Sequence, residues 1–122
     1  MEKQMKVPGP DHAITIAPTS EHVVVRVGDQ VVARTDSALT LAEAGYADVQ
    51  YVPIGDVDAR SLRRSDHQTY CPYKGDASYY TLVTHGGELE NAVWTYEEPF
   101  DAVREIGEHV AFYADRVDVI VG

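Results

Sequence analysis

Cys71 and Lys74 stand three residues apart in Thr69-Tyr-Cys-Pro-Tyr-Lys-Gly75, with tyrosines crowded around them. Cys71 is the one cysteine of the chain, and Tyr70, Tyr73, Tyr79 and Tyr80 are half of its eight tyrosines. A thiol reacts as its thiolate, and a nearby ammonium stabilises that form. Lys74 is such a group. It also suits a carboxylate or phosphate ligand, or an ion pair with Glu43 or Asp76. Two plainer readings stay open: a small buried thiol that only packs, and a lysine held in a structural ion pair. Pro72 fixes the backbone directly after the cysteine, so either role is played from a rigid frame.

Downstream, Trp94 and Tyr96 are two residues apart, so on a strand they face the same way. Hairpin pairing across His85-Gly-Gly87 brings Tyr79 or Tyr80 opposite Trp94. Aromatics gathered on one concave face form a stacking or cation–π surface; packed together, they are simply core. His67, Thr69 and Cys71 alternate along an extended segment and share a face. Four residues along a strand is too far for direct proton transfer between His67 and Cys71. His12, His22, His85 and His109 reach Cys71 only through the fold. The candidates for chemistry are therefore Cys71 and Lys74. The candidates for ligand binding are Lys74, Tyr79, Trp94, Tyr96 and Tyr113, with Arg34 added as the end of a strand. No metal site is expected, because a single cysteine with scattered histidines has no structural-zinc spacing. No cofactor is expected either.

The elements that must position these residues are mostly strands. His12-Ala-Ile-Thr-Ile16 is short and β-rich. Glu21 to Val27 and Gln30 to Arg34 flank Gly28-Asp29 and predict a hairpin. Asp36 to Gly45 reads by propensity as a capped helix ending in glycine. It reads by alternation as a strand with Leu39, Leu41 and Glu43 on one side. Val49 to Val52 is a strand ended by Pro53, followed by a loop to Leu62 with a helical turn at Val57-Asp-Ala. Ser78 to Thr84 and Leu89 to Tyr96 form a second hairpin. Pro99 to Glu108 is the best helix candidate, with proline near its start and Phe100, Val103 and Ile106 on one face. Val110 to Tyr113 and Val117 to Val121 are two short strands. Residues 1–10 end in Pro8-Gly-Pro10 and are expected to be a flexible arm. Residues 11–122 are expected to be a single, mainly β domain with one short helix near the C-terminus.

Composition narrows the function classes. Of the 122 residues, 44% are hydrophobic and 25% charged, which is ordinary for a globular domain. A domain this size buries roughly two-thirds of its unfolded surface. Twenty acidic residues against ten basic ones give a net charge of −10. Such a chain repels phosphate backbones and anionic bilayers, so neither nucleic acid nor membrane is an expected partner. No apolar run approaches the ~20 residues of a membrane span. The N-terminal residues lack the apolar core of a signal peptide, so the expected location is the cytoplasm.

Thr69-x-Cys71-Pro72-x-Lys74-Gly75-x-Ala77-x-Tyr79-Tyr80 resembles the signature of the family called domain of unknown function 427. So do Ala92-x-Trp94-x-Tyr96-x-x-Pro99, Val110-Ala-Phe-Tyr113 and, upstream, Tyr51-x-Pro53 with Asp56-Val57. The resemblance covers nearly the whole chain, from about Val23 to Val121. It implies a small, mainly β fold of the Mss4-like or β-tent type, built of antiparallel sheets, and it favours the strand reading of Ala38 to Glu43. The family sometimes carries a nucleotidyltransferase-type label. Such enzymes need a Gly-Ser phosphate loop before paired carboxylates that hold magnesium. Asp56-Val-Asp58 is a carboxylate pair, but no Gly-Ser precedes it. Several relatives of the fold hold zinc with two Cys-x-x-Cys pairs, and this chain has neither. The expected function is a small-molecule-binding domain with an aromatic, lysine and cysteine pocket. Its alternatives are an enzyme using Cys71 or Lys74, and an interaction domain whose aromatics are core. Oligomeric state is left open.

Overall fold

β-Branched runs punctuated by Gly-Asp and Gly-Gly turns favour antiparallel pairing, and antiparallel sheets dominate the molecule. A computed structural model describes residues 3–122. Ten strands run in the order β1 (Ile14–Pro18), β2 (Val23–Val27), β3 (Gln30–Thr35), β4 (Leu39–Glu43), β5 (Val49–Pro53), β6 (Leu62–Cys71), β7 (Gly75–Thr84), β8 (Gly87–Thr95), β9 (His109–Phe112) and β10 (Asp118–Val121). Seven form one sheet in the spatial order β1-β4-β5-β9-β8-β7-β6, and three form a second, β10-β2-β3. The fold is mainly β, and among the described residues no helix is long. None among the described residues is long and apolar enough to cross a membrane.

The β2–β3 hairpin turns at Gly28, whose φ of +58° suits glycine. The β7–β8 hairpin turns at His85-Gly86 and places Tyr79 directly opposite Trp94. Leu39–Glu43 is a strand, paired with β1 on one side and β5 on the other. β9 and β10 are neighbours in sequence yet belong to different sheets.

Three local expectations need correction. The extended segment read over His67 to Cys71 is the end of a longer, ten-residue edge strand, β6, which begins at Leu62 and pairs with β7. The turn expected at Val57-Asp-Ala is instead two short 3-10 turns, Ile54–Asp56 and Ala59–Ser61, with Val57 extended between them. The helix expected over Pro99 to Glu108 is a 3-10 segment, Asp101–Ile106, broken at Val103 (φ −130°). Six residues are too few to nucleate a stable α-helix, so packing of Val103 and Ile106 dictates the local path. Of residues 1–10, Met1 and Glu2 lie outside the described residues. Beyond them the chain runs beside the β6–β7 turn, where Lys6 N–H donates to Pro72 O at 2.8 Å and Tyr70 O–H donates to Gln4 O.

Alternation along the strands divides the buried side chains into two clusters. One lies between the two sheets and contains Val23, Val25 and Val32 with Val52, Leu82, Val93, Val110 and Phe112. The other collects Leu41, Tyr51, Ala77, Tyr79, Tyr96, Val103, Ile106 and Ala111, with Cys71 and Trp94 packed against it.

Candidate functional site

The second cluster opens onto a cavity of about 310 Å³. Each strand contributes by the period of two. β4 presents Leu41 and Glu43, β5 presents Val49 and Tyr51, β7 presents Tyr79, and β8 presents Trp94 with Tyr96 just beyond its end. Cys71 ends β6, Lys74 comes from the turn that follows, and Tyr113 follows β9. Tyr46 and Ala47, on the β4–β5 loop, form the mouth, where Tyr46 is 69% exposed.

The turn that carries Lys74 is held from both sides. Lys74 N–H donates to Cys71 O at 3.2 Å, and Lys74 O accepts from Phe100 N–H at 3.0 Å. Gly75 has φ +111°, a region side chains avoid, and a Cβ there would stand 3.4 Å from Glu98 O. The lysine therefore enters the cavity from a fixed backbone.

Lys74 is 7% exposed and donates to Glu43 Oε1 at 2.6 Å. The other carboxylate oxygen, Oε2, lies 2.6 Å from His12 Nε2. His12 in turn stacks flat on Tyr73, with centroids 4.0 Å apart and planes 6° apart. Burial alone would raise the Glu43 carboxyl. The hydrogen bonds and charges of Lys74 and His12 outweigh it and hold the group below its ordinary value. The ammonium of Lys74 also lies 4.0 Å from Cys71 Sγ, at the outer limit of a hydrogen bond to sulfur.

The aromatic walls are graded in how well their polar tips are satisfied. Trp94 Nε1–H donates to Tyr51 Oη at 3.3 Å, and the two rings meet edge to face. Trp94 and Tyr113 pack with centroids 4.6 Å apart. The Tyr79 hydroxyl bonds Thr69 Oγ1 at 2.9 Å and lies 3.5 Å from that of Tyr113. His67 packs on the Tyr79 ring at 4.6 Å, so His67, Thr69 and Cys71 do share one face. Burial, with neighbouring phenols and Glu43 adding to it, raises Tyr51 and Tyr96 far above the ordinary phenol value. Tyr113 is pushed up to about 12 by burial and by its bond to Tyr79. These phenols are neutral O–H groups at physiological pH.

Six of the residues singled out from sequence line this one cavity: Cys71, Lys74, Tyr79, Trp94, Tyr96 and Tyr113. Arg34 does not join them. It is exposed on β3 of the other sheet, opposite Val24. Asp56 and Asp58 are also elsewhere: Asp56 accepts from Thr35 Oγ1, and Asp58 caps the turn at Ala59–Ser61 and pairs with Arg60. Tyr51 and Tyr46 were not singled out for the site, although Tyr51-x-Pro53 is part of the family-like pattern. Their strand and loop carry no local chemical signal, and only cross-strand pairing brings them to the cavity. Among the described residues, no three His, Cys, Asp or Glu side chains stand together as a metal site would need. A second cleft, of about 340 Å³, holds Asp76, Glu97 and Glu98, but Lys3 pairs with Asp76 and Arg64 with Glu97.

A family model described as "Domain of unknown function (DUF427)" matches residues 15–122. No curated protein matches the chain.

Proposed function

The chain belongs to the DUF427 family, and from its cavity we propose that it is a small-molecule-binding domain. The observation that carries this reading is the convergence of Lys74, Tyr79, Trp94, Tyr96 and Tyr113 on one cavity of about 310 Å³. That volume is at the lower end for small-molecule sites, which combine apolar walls with a few placed polar groups. Trp94 is only half-buried, so its ring is available for stacking. The Mss4-like (β-tent) likeness implied by the motifs belongs to the same reading. So do a cytoplasmic location and, on the acidic charge balance, the exclusion of nucleic acid and membranes as partners.

A second reading, an enzyme that uses Cys71, draws support from the Lys74 ammonium 4.0 Å from the thiol on the cavity wall. The alternatives separate cleanly. A thermal-shift screen of small planar compounds should find ligands that raise the melting temperature of the native protein and not that of Trp94→Ala. Trp94→Ala should remain folded, at a cost of about 2 kcal/mol rather than the 3–5 of a fully buried tryptophan. A Trp94→Ala variant that is unfolded, together with a screen that yields nothing, would leave the aromatics as core and end the binding reading. Alkylation of Cys71 much faster than that of a free thiol, with turnover lost in Cys71→Ala while binding persists, would favour the enzyme.

A further inference from the structure

The charged groups of the cavity have partners, and two of its neutral ones do not. Lys74 is bonded to Glu43, and Glu43 to His12. Tyr79 is bonded to Thr69. Tyr96 is 8% exposed, yet its hydroxyl makes no hydrogen bond among the described residues. Tyr51 is 1% exposed and accepts from Trp94 Nε1–H, and among the described residues its own proton has no acceptor. Both residues line the same cavity. The Tyr96 hydroxyl is not sealed from water, because among the described residues Asn91 Oδ1 is the buried side-chain polar atom without a partner; the phenol therefore offers a free donor to the cavity.

We infer that Tyr51 and Tyr96 together receive the carbonyl oxygen of an uncharged, planar ligand whose ring lies against Trp94. This rests on the reading of the chain as a binding domain and adds the ligand class. A carbonyl oxygen has two lone pairs and accepts from two O–H donors at once. Both phenols keep their protons across the physiological range, since burial and the nearby Glu43 oppose ionisation. An anionic ligand is a poor fit. The ammonium on the wall is already neutralised by Glu43, so a carboxylate would be desolvated with no free cation to meet it. A cationic ligand is no better, because the unpartnered groups are donors and the carboxylate has both its oxygens engaged.

Trp94 is the single tryptophan, so its fluorescence reports occupancy of the cavity directly. Three probes share one ring and differ in the group it carries: benzamide, benzoate and benzylamine. Benzamide is expected to bind about a hundredfold more tightly than either of the others, the worth of two well-made hydrogen bonds. Tyr51→Phe and Tyr96→Phe should each weaken benzamide by about tenfold and leave the other two unchanged. Melting curves check that both variants are folded. Benzamide bound no more tightly than benzoate, or undiminished in both variants, overturns the inference. Three probes that bind alike also overturn it, while leaving the binding domain in place. No fluorescence change with any probe, beside a screen without stabilising ligands, overturns both.

Discussion

Tyr51 and Val52 are consecutive on β5 and face opposite sides of the seven-stranded sheet. Val52 joins Val23, Val25, Leu82, Val93 and Val110 in a cluster whose buried members carry no polar tip, with Tyr80 packed at its edge. Tyr51 joins Tyr79, Tyr96 and, at the edge, Cys71 and Trp94. The same division recurs at Val93 and Trp94 on β8. The aliphatic side needs only exclusion from water, which non-directional burial supplies. The aromatic side carries hydroxyls, an indole N–H, a thiol and an ammonium, each of which costs free energy in a dry interior unless bonded. The difference separates a face that holds the molecule together from the face on which the proposed ligand site rests.

The sharpest attempt to break that contrast is Leu82→Ala. Leu82 is fully buried between the sheets, and its truncation should cost about 4 kcal/mol through lost transfer energy and a residual cavity. Ligand binding at the other face should be unchanged. Urea denaturation measures the first and ligand titration the second. A loss below about 1 kcal/mol would mean that the aliphatic face is loosely packed and that the two faces share the structural role.

The aromatic face has one structural anchor, the Lys74–Glu43 pair. Glu43→Ala leaves the Lys74 ammonium buried without its partner and should cost about 3 kcal/mol. The pH dependence gives the sign. The folded-state pKa of Glu43 lies below its ordinary value of 4.5, so its contribution is present above that value. It is lost as the pH falls through the lowered one. Stability of the native protein and of Glu43→Gln should therefore converge on acidification. Curves that stay parallel down to the acid transition would show that the pair is not a stabilising contact.

How much of this was legible without coordinates depends on whether the signal was local. The turns at Gly28-Asp29 and His85-Gly86 set the pairing beside them, but a register shift between Tyr80 and Leu82 intervenes before Tyr79 meets Trp94; the turn alone would put Tyr79 opposite Ala92. The spacing of Lys74 and Glu43 allowed their pairing but did not require it. Only the end of β6, His67 to Cys71, reads as extended, because Leu62-Arg-Arg-Ser-Asp66 has neither β-branched residues nor alternation. It is an edge strand, exposed over most of its length, and its place is secured by β7 and by pairs from Arg63 to Glu88 and Arg64 to Glu97. The amphipathic spacing at Pro99 to Glu108 was real, for Val103 and Ile106 are fully buried. It did not reveal that Phe100 and Gly107 lie too close in sequence for a stable α-helix. Tyr51 came to the cavity from β5, two strands away from Trp94 across β9, a relation that no window of the chain contains.

The smallest expected effect discriminates most finely, because it compares two hydroxyls within the aromatic face. Tyr79→Phe removes a bond to Thr69 Oγ1 of 2.9 Å and leaves the threonine hydroxyl short of a partner. It should cost about 1 kcal/mol, the net worth of a hydrogen bond between neutral groups. Tyr96→Phe removes no bond within the protein. It should leave the melting temperature nearly unchanged, since the hydroxyl opens to the cavity and its loss breaks no bond within the protein. The pair is read by thermal melting of both variants side by side, without ligand. If Tyr96→Phe costs as much as Tyr79→Phe, then the Tyr96 hydroxyl is satisfied within the free protein. It would then be part of the core, like the valines across the sheet, and the division between a holding face and a receiving face would not extend to it. If Tyr96→Phe is neutral and Tyr79→Phe is not, the unmade hydrogen bond belongs to the free protein, and a ligand acceptor can complete it.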